Sequence, residues 1–312
     1  MTSTRAHRPP VPKSTDARRR RRLVIPGLAV ALLGLASSTV VAASLATAAP
    51  APTHPVVTQS VAHELAAATP PGRAKPTVVL VHGAWADASS WNGEAAYLRA
   101  AGYPVRAIAN PVEDLTTDAQ YVRTFLDSIH GPIVLVGHSY GGSVITNAAT
   151  GDPDVKALVY VDAAAPATGE TNGSLSGADS VLSTEPKSTL FTTLPEPGAP
   201  AGVSDLYLNE DVFVHAFGSD LPKARAEALW SSQRTASTAA FDTPSQTEAW
   251  ATIPSWYFVS SGDRIITPTS ELAMAKRAHS TVTLFHGGSH LTLISHPAAV
   301  TRTIAAAIAA VR

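Results

Sequence analysis

Short runs of consecutive apolar residues recur along the chain from Pro76 onward. The first, at positions 77–81, reads Thr-Val-Val-Leu-Val, which is typical of a strand that is buried on both faces. Five similar runs follow it. They lie at positions 104–109, 133–136, 157–161, 255–259 and 281–285. The pattern therefore predicts about six buried core strands.

Helical patterns separate most of these runs. They cover positions 90–101, 117–128, 141–150, 269–279 and 297–312. Pro297 stands at the first turn of the last helix, where proline is well tolerated. Alternation of buried strands with helices predicts an α/β fold, in which a doubly wound and mostly parallel sheet forms the core.

One long segment, from 167 to about 250, interrupts this alternation. It opens with Gly- and Ser-rich loops and several prolines, and two helical pieces follow near 203–217 and 221–232. A long excursion inside an α/β sheet favours a helical lid insertion over a plain loop. A disordered insert is the alternative, but Phe213, Phe217 and Trp230 favour packing.

The N-terminus has the pattern of an export signal. Five consecutive arginines at 18–22 precede an uncharged run that extends through Ala49 and contains Ala46-Thr47-Ala48. A basic region, an apolar region and an A-x-A site together predict a signal peptide over 1–48 and a secreted protein. The arginines also resemble a twin-arginine signal, and the alternative is a membrane anchor over 23–49. A Pro- and Ala-rich linker is predicted over 49–75, followed by one folded domain over 76–312.

Charge and composition narrow the function classes. The chain has 312 residues, 45% of them apolar, and a formal net charge of −1. Eight basic residues and one acidic residue fall in 1–48, so the rest of the chain carries 15 basic and 23 acidic residues. An acidic body argues against nucleic acid or anionic membranes as partners. The absence of cysteine excludes a disulfide scaffold, a thiolate metal site and a cysteine nucleophile.

The strongest chemical motif is Gly-His-Ser-Tyr-Gly-Gly at 137–142, between a predicted strand and a predicted helix. This is G-x-S-x-G in the strand–turn–helix context that identifies a nucleophile elbow. The tight turn requires residues without side chains at Gly137 and Gly141, and it raises the Ser139 hydroxyl above the sheet. We therefore predict that Ser139 is a nucleophile.

A His-Gly-Ala-Trp sequence ends the first predicted strand at 82–85. A His-Gly pair at this position supplies one N–H to an oxyanion hole, and the residue after the nucleophile supplies the other. We assign these donors to the backbones of Ala84 and Tyr140. His82 is predicted to hold the loop. It is not expected to be the catalytic base, because it precedes the nucleophile in the chain.

The acid and the base are expected after late strands, in the order Ser, Asp, His. Asp263 follows the strand at 255–259, and Asp162, after the strand at 157–161, is the alternative acid. His290 lies in the loop after the strand at 281–285. His286 and His296 are interpreted as a packed histidine and a helix cap.

These motifs, together with Gly262-Asp263, Pro268 and Gly288-Ser289-His290, resemble the α/β-hydrolase superfamily from about Lys75 to Arg312. The closest resemblance is to small-lid bacterial esterases, and a more remote one is to plant methyl esterases and hydroxynitrile lyases. There is little room before Thr77 for the superfamily's usual first two strands, so six core strands are expected.

The resemblance implies a serine hydrolase acting on esters, lactones or thioesters through Ser139, His290 and Asp263. Carbon–carbon bond hydrolases and cofactor-free haloperoxidases use the same three residue types and stay open, as does a non-catalytic binding module. No cofactor and no metal are expected. Apolar side chains in the lid suggest a small-molecule substrate with an apolar part. They are Phe191, Leu194, Leu206, Phe213, Phe217 and Trp230.

Overall fold

A six-stranded parallel sheet forms the core of the computed structural model, which describes residues 59–311. Its strands, in chain order, are β1 (Thr77–Val81), β2 (Val105–Ile108), β3 (Ile133–His138), β4 (Val155–Val161), β8 (Ser255–Ser260) and β9 (Thr281–Phe285). Their spatial order is β2-β1-β3-β4-β8-β9, and every neighbouring pair is parallel. The predicted fold class and the six core strands are confirmed.

Helices connect and cover these strands. They are α1 (Gln59–Ala68), α2 (Asn92–Ala100), α3 (Leu115–Leu126), α4 (Tyr140–Ala148), α5 (Val181–Thr184), α6 (Lys187–Leu190), α7 (Glu210–Val212), α8 (Lys223–Ser231), α9 (Thr238–Asp242), α10 (Pro268–Arg277), α11 (Thr292–Ser295) and α12 (Pro297–Ala310). Short 3₁₀ helices span Ala88–Trp91, Asn172–Leu175 and Ala249–Ala251, and one π-helical turn spans Phe213–Phe217.

The central strands are buried, whereas the last strand is not. Every residue of β3 and β8 is buried, as their apolar runs predict. In β9, however, Val282 is 42% exposed and Leu284 is 45% exposed. The prediction of burial on both faces is wrong there, because β9 pairs only with β8 and forms the edge of the sheet.

The lid contains a small sheet as well as helices. Strands β5 (Phe191–Pro195), β6 (Ser204–Leu208) and β7 (Ala236–Ser237) pair antiparallel in that order. A helix predicted near 203–217 is therefore wrong over its first part. The Gln233 side chain accepts from the N–H of Leu208 and donates to its carbonyl, which fixes the end of β6 onto the chain after α8.

Part of the segment predicted as a linker is a packed helix. Helix α1 lies within 49–75 and packs on α12, and its Val61 and Leu65 side chains are fully buried. The Leu65 carbonyl also accepts a hydrogen bond from the Tyr103 hydroxyl at 2.7 Å. The predicted signal peptide and the alternative anchor at 23–49 lie outside the described residues. Among residues 59–311, no helix is both long enough and apolar enough to span a bilayer.

We expect Leu65→Ala to lower the free energy of unfolding by about 2–5 kcal/mol, because it leaves a cavity in a fully buried position. Urea denaturation of the variant and wild type measures this difference. His63→Ala is the matched control, since His63 lies on the exposed face of the same helix. Equal stability of Leu65→Ala and wild type would show that α1 is not part of the folded core.

Candidate active site

Ser139 stands at a strained turn between β3 and α4. Its φ of 54° is in the left-handed region, which non-glycine residues seldom adopt. The turn is tight because the backbone of Gly141 approaches β1. A Cβ on Gly141 would lie 2.4 Å from the Val81 carbonyl oxygen, and a Cβ on Gly137 would lie 2.5 Å from that of Gly141. The glycine pattern at 137–142 thus has a steric cause.

A chain of hydrogen bonds joins Ser139, His290 and Asp263. The distance from Ser139 Oγ to His290 Nε2 is 2.8 Å, and that from His290 Nδ1 to Asp263 Oδ2 is 2.6 Å. With the imidazole proton on Nδ1, His290 donates to Asp263 and accepts from the Ser139 hydroxyl. The imidazole is fully buried, and Ser139 is 5% exposed. The structure therefore brings together the three side chains that the sequence predicts.

The two candidate acids have different partners. Oδ1 of Asp263 accepts the backbone N–H groups of Ile265 at 2.7 Å and Ile266 at 3.2 Å, which leaves Oδ2 for His290. Asp162 instead accepts the backbone N–H and the hydroxyl of Ser260. No hydrogen bond joins Asp162 to His290 within residues 59–311. This geometry favours Asp263 as the partner of the imidazole.

The loop that carries His290 is held from two sides. His138, immediately before Ser139, uses Nε2 to donate to the His290 carbonyl at 2.8 Å. From the lid, Asp220 accepts the hydroxyls of Ser289 and Ser295, each at 2.5 Å. Sequence analysis missed Asp220, because nothing in its sequence neighbourhood indicates that it faces the loop at 287–291.

The other histidines occupy structural or peripheral positions. His82 Nε2 accepts the backbone N–H of Asn110 at 3.0 Å, so it holds the loop after β1 as predicted. His286 is exposed, so the interpretation as a packed histidine is wrong. His296 precedes α12 without a side-chain capping bond, and its ring lies 5.0 Å from that of Phe285.

Two backbone N–H groups close to Ser139 have no hydrogen-bond acceptor among the described residues. Within the part of the chain that the structure describes, neither Ala84 nor Tyr140 uses its N–H in a hydrogen bond. The preceding Gly83 lies against the serine, since a Cβ there would be 2.5 Å from Ser139 Cβ. The Tyr140 hydroxyl donates to Asp118 at 2.8 Å, which fixes the residue after the serine. These two N–H groups are thus available to an oxygen bound beside Ser139.

Burial controls the protonation of the imidazole. It lowers the pKa of His290, because the charged form loses its hydration. It also lowers the pKa of His138, and the nearby His290 acts in the same direction. Both rings are therefore neutral near pH 7, and a neutral imidazole is the form that accepts a proton from a hydroxyl group.

Three buried carboxyl groups lie close together behind the imidazole. Asp162, Asp263 and Glu271 each offer an oxygen atom within 4.8 Å of the others. Burial raises the pKa of all three, and mutual repulsion raises it further for Asp162 and Glu271. Asp263 has three N–H donors to support its charge, whereas the backbone of Ala163 is the donor that lowers the pKa of Glu271 among the described residues. Protonation of Asp162 and Glu271 relieves the repulsion among the three carboxyl groups.

The stability of the fold is expected to depend on pH through Asp118, whose carboxyl accepts the hydroxyl of Tyr140. Burial raises its pKa to about 6, so its deprotonation destabilises the folded state as pH rises from about 4 to 6. Asp118→Asn lacks this titration. We expect its free energy of unfolding, relative to wild type, to increase by roughly 2 kcal/mol between pH 4 and pH 7. Urea denaturation at several pH values measures this, and a constant difference would contradict it.

Aromatic side chains from the lid pack against His290 and Trp85. The ring of Phe217 lies 5.0 Å from that of His290, and it is also in contact with the Trp85 ring at 5.9 Å. Phe191 and Phe241 stack on Trp85, with ring centroids at 5.6 and 5.3 Å. The lid therefore shields the hydrogen-bond chain from water.

A model of the alpha/beta hydrolase family matches residues 78–303, which is most of the chain. The chain belongs to the α/β-hydrolase family. This α/β-hydrolase is 36% identical over 107 residues to a carbendazim hydrolyzing esterase of Nocardioides sp., and 37% identical over 114 residues to esterase PIR7B of Oryza sativa. The alignments cover 30% and 32% of this chain and span only 44% and 42% of those relatives.

Solved structures agree on the α/β-hydrolase fold. An extracellular α/β-hydrolase from a Paenibacillus species, whose description reports homology to tobacco salicylic acid binding protein 2, has a TM-score of 0.61 at 23% identity. It covers 74% of this chain and 98% of its own. Polyneuridine aldehyde esterase has a TM-score of 0.60 at 18% identity and covers 73% and 97%. At these identities, the likeness concerns the fold.

Proposed function

We propose that this α/β-hydrolase is a secreted serine hydrolase that cleaves a carboxylic ester, lactone or thioester. One observation carries the proposal, namely the chain of hydrogen bonds from Ser139 through His290 to Asp263, at 2.8 and 2.6 Å. A hydroxyl on a neutral imidazole, itself oriented by a carboxylate, is the arrangement that activates serine for acyl transfer.

In the first half of the reaction, Ser139 Oγ attacks the carbonyl carbon of the ester as His290 Nε2 takes the hydroxyl proton. Asp263 stabilises the imidazolium through Nδ1–H. The carbonyl oxygen becomes an oxyanion, which the N–H groups of Ala84 and Tyr140 stabilise. The intermediate then collapses, the C–O bond to the alcohol breaks, and His290 returns the proton to the leaving oxygen.

In the second half, water takes the place of the alcohol. His290 removes a proton from the water as its oxygen attacks the acyl carbon. Collapse of the second intermediate breaks the bond to Ser139 and returns the proton to Oγ. The products are a carboxylic acid and the free serine, so the cycle needs no cofactor or metal ion.

The relatives support an esterase, because both curated matches carry that word in their names. Their substrates belong to those proteins, since the matched segments span less than half of each relative. For this chain we propose a small-molecule ester substrate with an apolar part. The buried rings of Phe213 and Phe217 in the lid support this choice.

The proposal that the protein is secreted rests on the basic and apolar pattern of residues 1–48. Expression of the full chain, followed by N-terminal sequencing of protein from the medium, tests it. Cleavage after Ala48 supports an exported enzyme, whereas an intact N-terminus in the membrane fraction supports an anchor over 23–49.

Hydrolysis of p-nitrophenyl esters of graded acyl length by the purified protein tests the activity. We expect release of p-nitrophenol well above the uncatalysed rate, with a chain-length preference that reports the size of the acyl site. Absence of hydrolysis on every ester, together with absence of reaction with a fluorophosphonate, would favour the binding-module alternative.

A further inference from the structure

A cavity of about 1150 Å³ lies beside the hydrogen-bond chain. It is lined by the loop after β1, by α2, by the lid, and by α11 with the start of α12. Its volume exceeds the roughly 300–1000 Å³ of sites that hold drug-sized ligands. Trp85, Phe213 and Leu291 contribute apolar surface to it, and Leu291 directly follows His290 in the chain.

Ser139 and His290 do not line this cavity. Phe217 does line it, and the ring of Phe217 also lies 5.0 Å from that of His290. One side chain therefore contacts both the cavity and the imidazole. Phe217 and Trp85 together form the wall between the cavity and the imidazole.

The two residues of this wall are held very differently. Trp85 is fixed, because its indole N–H donates to the Leu206 carbonyl at 3.0 Å and its ring is stacked by Phe191 and Phe241. Phe217 has no polar anchor. It ends the π-helical turn Phe213–Phe217 and precedes Gly218, and π-helical turns are often found at functional sites. Ring contacts with Phe213, Trp85 and His290 hold Phe217 in place. Displacement of Phe217 therefore breaks no side-chain hydrogen bond, whereas displacement of Trp85 breaks its bond to Leu206.

We propose that the cavity binds the larger, apolar group of the ester, and that Phe217 determines which esters reach Ser139 from it. This inference rests on the proposed ester hydrolysis. The substrate class is an ester with a bulky apolar group, such as a fused aromatic ring, on either its acyl or its alcohol side. Displacement of the Phe217 ring joins the cavity to the space above Ser139 and lets the carbonyl carbon approach Oγ.

The experiment compares a small ester with two bulky ones, using the full chain. The small ester is p-nitrophenyl acetate. 2-Naphthyl acetate carries its bulk on the alcohol, and p-nitrophenyl 2-naphthoate carries it on the acyl group. The readout is the ratio of kcat/KM for each bulky ester to that for the small one, so a general loss of activity cancels.

Two kinds of variant act on the ratio in opposite directions. Phe217→Ala removes the aromatic ring from the wall and is expected to raise the ratio at least about tenfold for one bulky ester. Phe217→Leu is expected to raise the ratio less, and it replaces the alanine variant in the experiment if that variant does not fold. Ala96→Trp fills the cavity from α2 and lowers the ratio by a similar factor. Ala100→Trp, on the same helix but outside the cavity, is the matched control and leaves the ratio as in wild type.

Ratios that stay at the wild-type value in both Phe217 variants and in Ala96→Trp would overturn the proposal. A wild-type protein that hydrolyses none of the three esters and does not react with a fluorophosphonate would overturn the proposed function, and this inference with it. The two failures are therefore distinguishable.

Discussion

Replacement of Ser139 by alanine is expected to lower kcat/KM for p-nitrophenyl ester hydrolysis by about 10⁵-fold or more, as removal of the nucleophile does in well-studied serine proteases. The physical reason is that no other hydroxyl group lies within hydrogen-bond distance of His290 Nε2 among the described residues. Steady-state kinetics of the variant and wild type measure the loss. The fold is expected to persist, because the change removes one oxygen atom from a preformed turn.

Ser143→Ala is the matched control for this result. Ser143 lies one turn further along α4, and its hydroxyl donates to Asn172 at 2.8 Å, away from His290. We expect this variant to keep ester hydrolysis within a few fold of wild type. Activity of Ser139→Ala comparable to that of wild type would contradict Ser139 as the nucleophile.

Replacement of Asp263 by asparagine is expected to lower kcat by about 10⁴-fold. The N–H groups of Ile265 and Ile266 require an acceptor, so the amide oxygen of the asparagine must face them. Its NH₂ group then faces His290 Nδ1, which can only accept from it. The proton of the neutral imidazole moves to Nε2, and Nε2 no longer accepts a proton from Ser139. A pH–rate profile with kcat and KM determined separately measures the effect.

Asp162→Asn distinguishes this mechanism from a general effect of replacing a buried carboxyl group. Asp162 is equally buried and follows the neighbouring strand β4, but its partner is Ser260. We expect it to change kcat by less than about tenfold, since it does not orient the imidazole. A larger loss in Asp162→Asn than in Asp263→Asn would reverse the assignment of the acid.

The candidate site could be predicted because its residues follow strand ends. The carboxyl ends of parallel strands meet at one edge of a sheet, so residues after β3, β8 and β9 converge whatever the length of chain between them. The order Ser, Asp, His fits both Asp162 and Asp263, and the hydrogen bond to His290 is what favours Asp263. No local signal indicates Asp220, Asp118 or Glu271, because their roles depend on contacts between elements that are distant in the chain.

The errors in the fold have a common cause. Helix α1 has a composition typical of a linker, and only its packing on α12 makes Val61 and Leu65 core residues. In the lid, β6 is stabilised by its partners β5 and β7, and neither is visible in a local pattern. Burial of β9 likewise depends on its place at the edge of the sheet. In each case, contacts between residues that are distant in the chain determine the secondary structure or the burial, and the local sequence pattern does not specify it.

The most direct test of the account is covalent labelling of the wild-type protein with a fluorophosphonate, followed by mass-spectrometric mapping of the labelled peptide. The account predicts a single adduct on Ser139, absent from Ser139→Ala and formed much more slowly in Asp263→Asn. An adduct on a different serine, or no adduct in a protein that is folded, would contradict it.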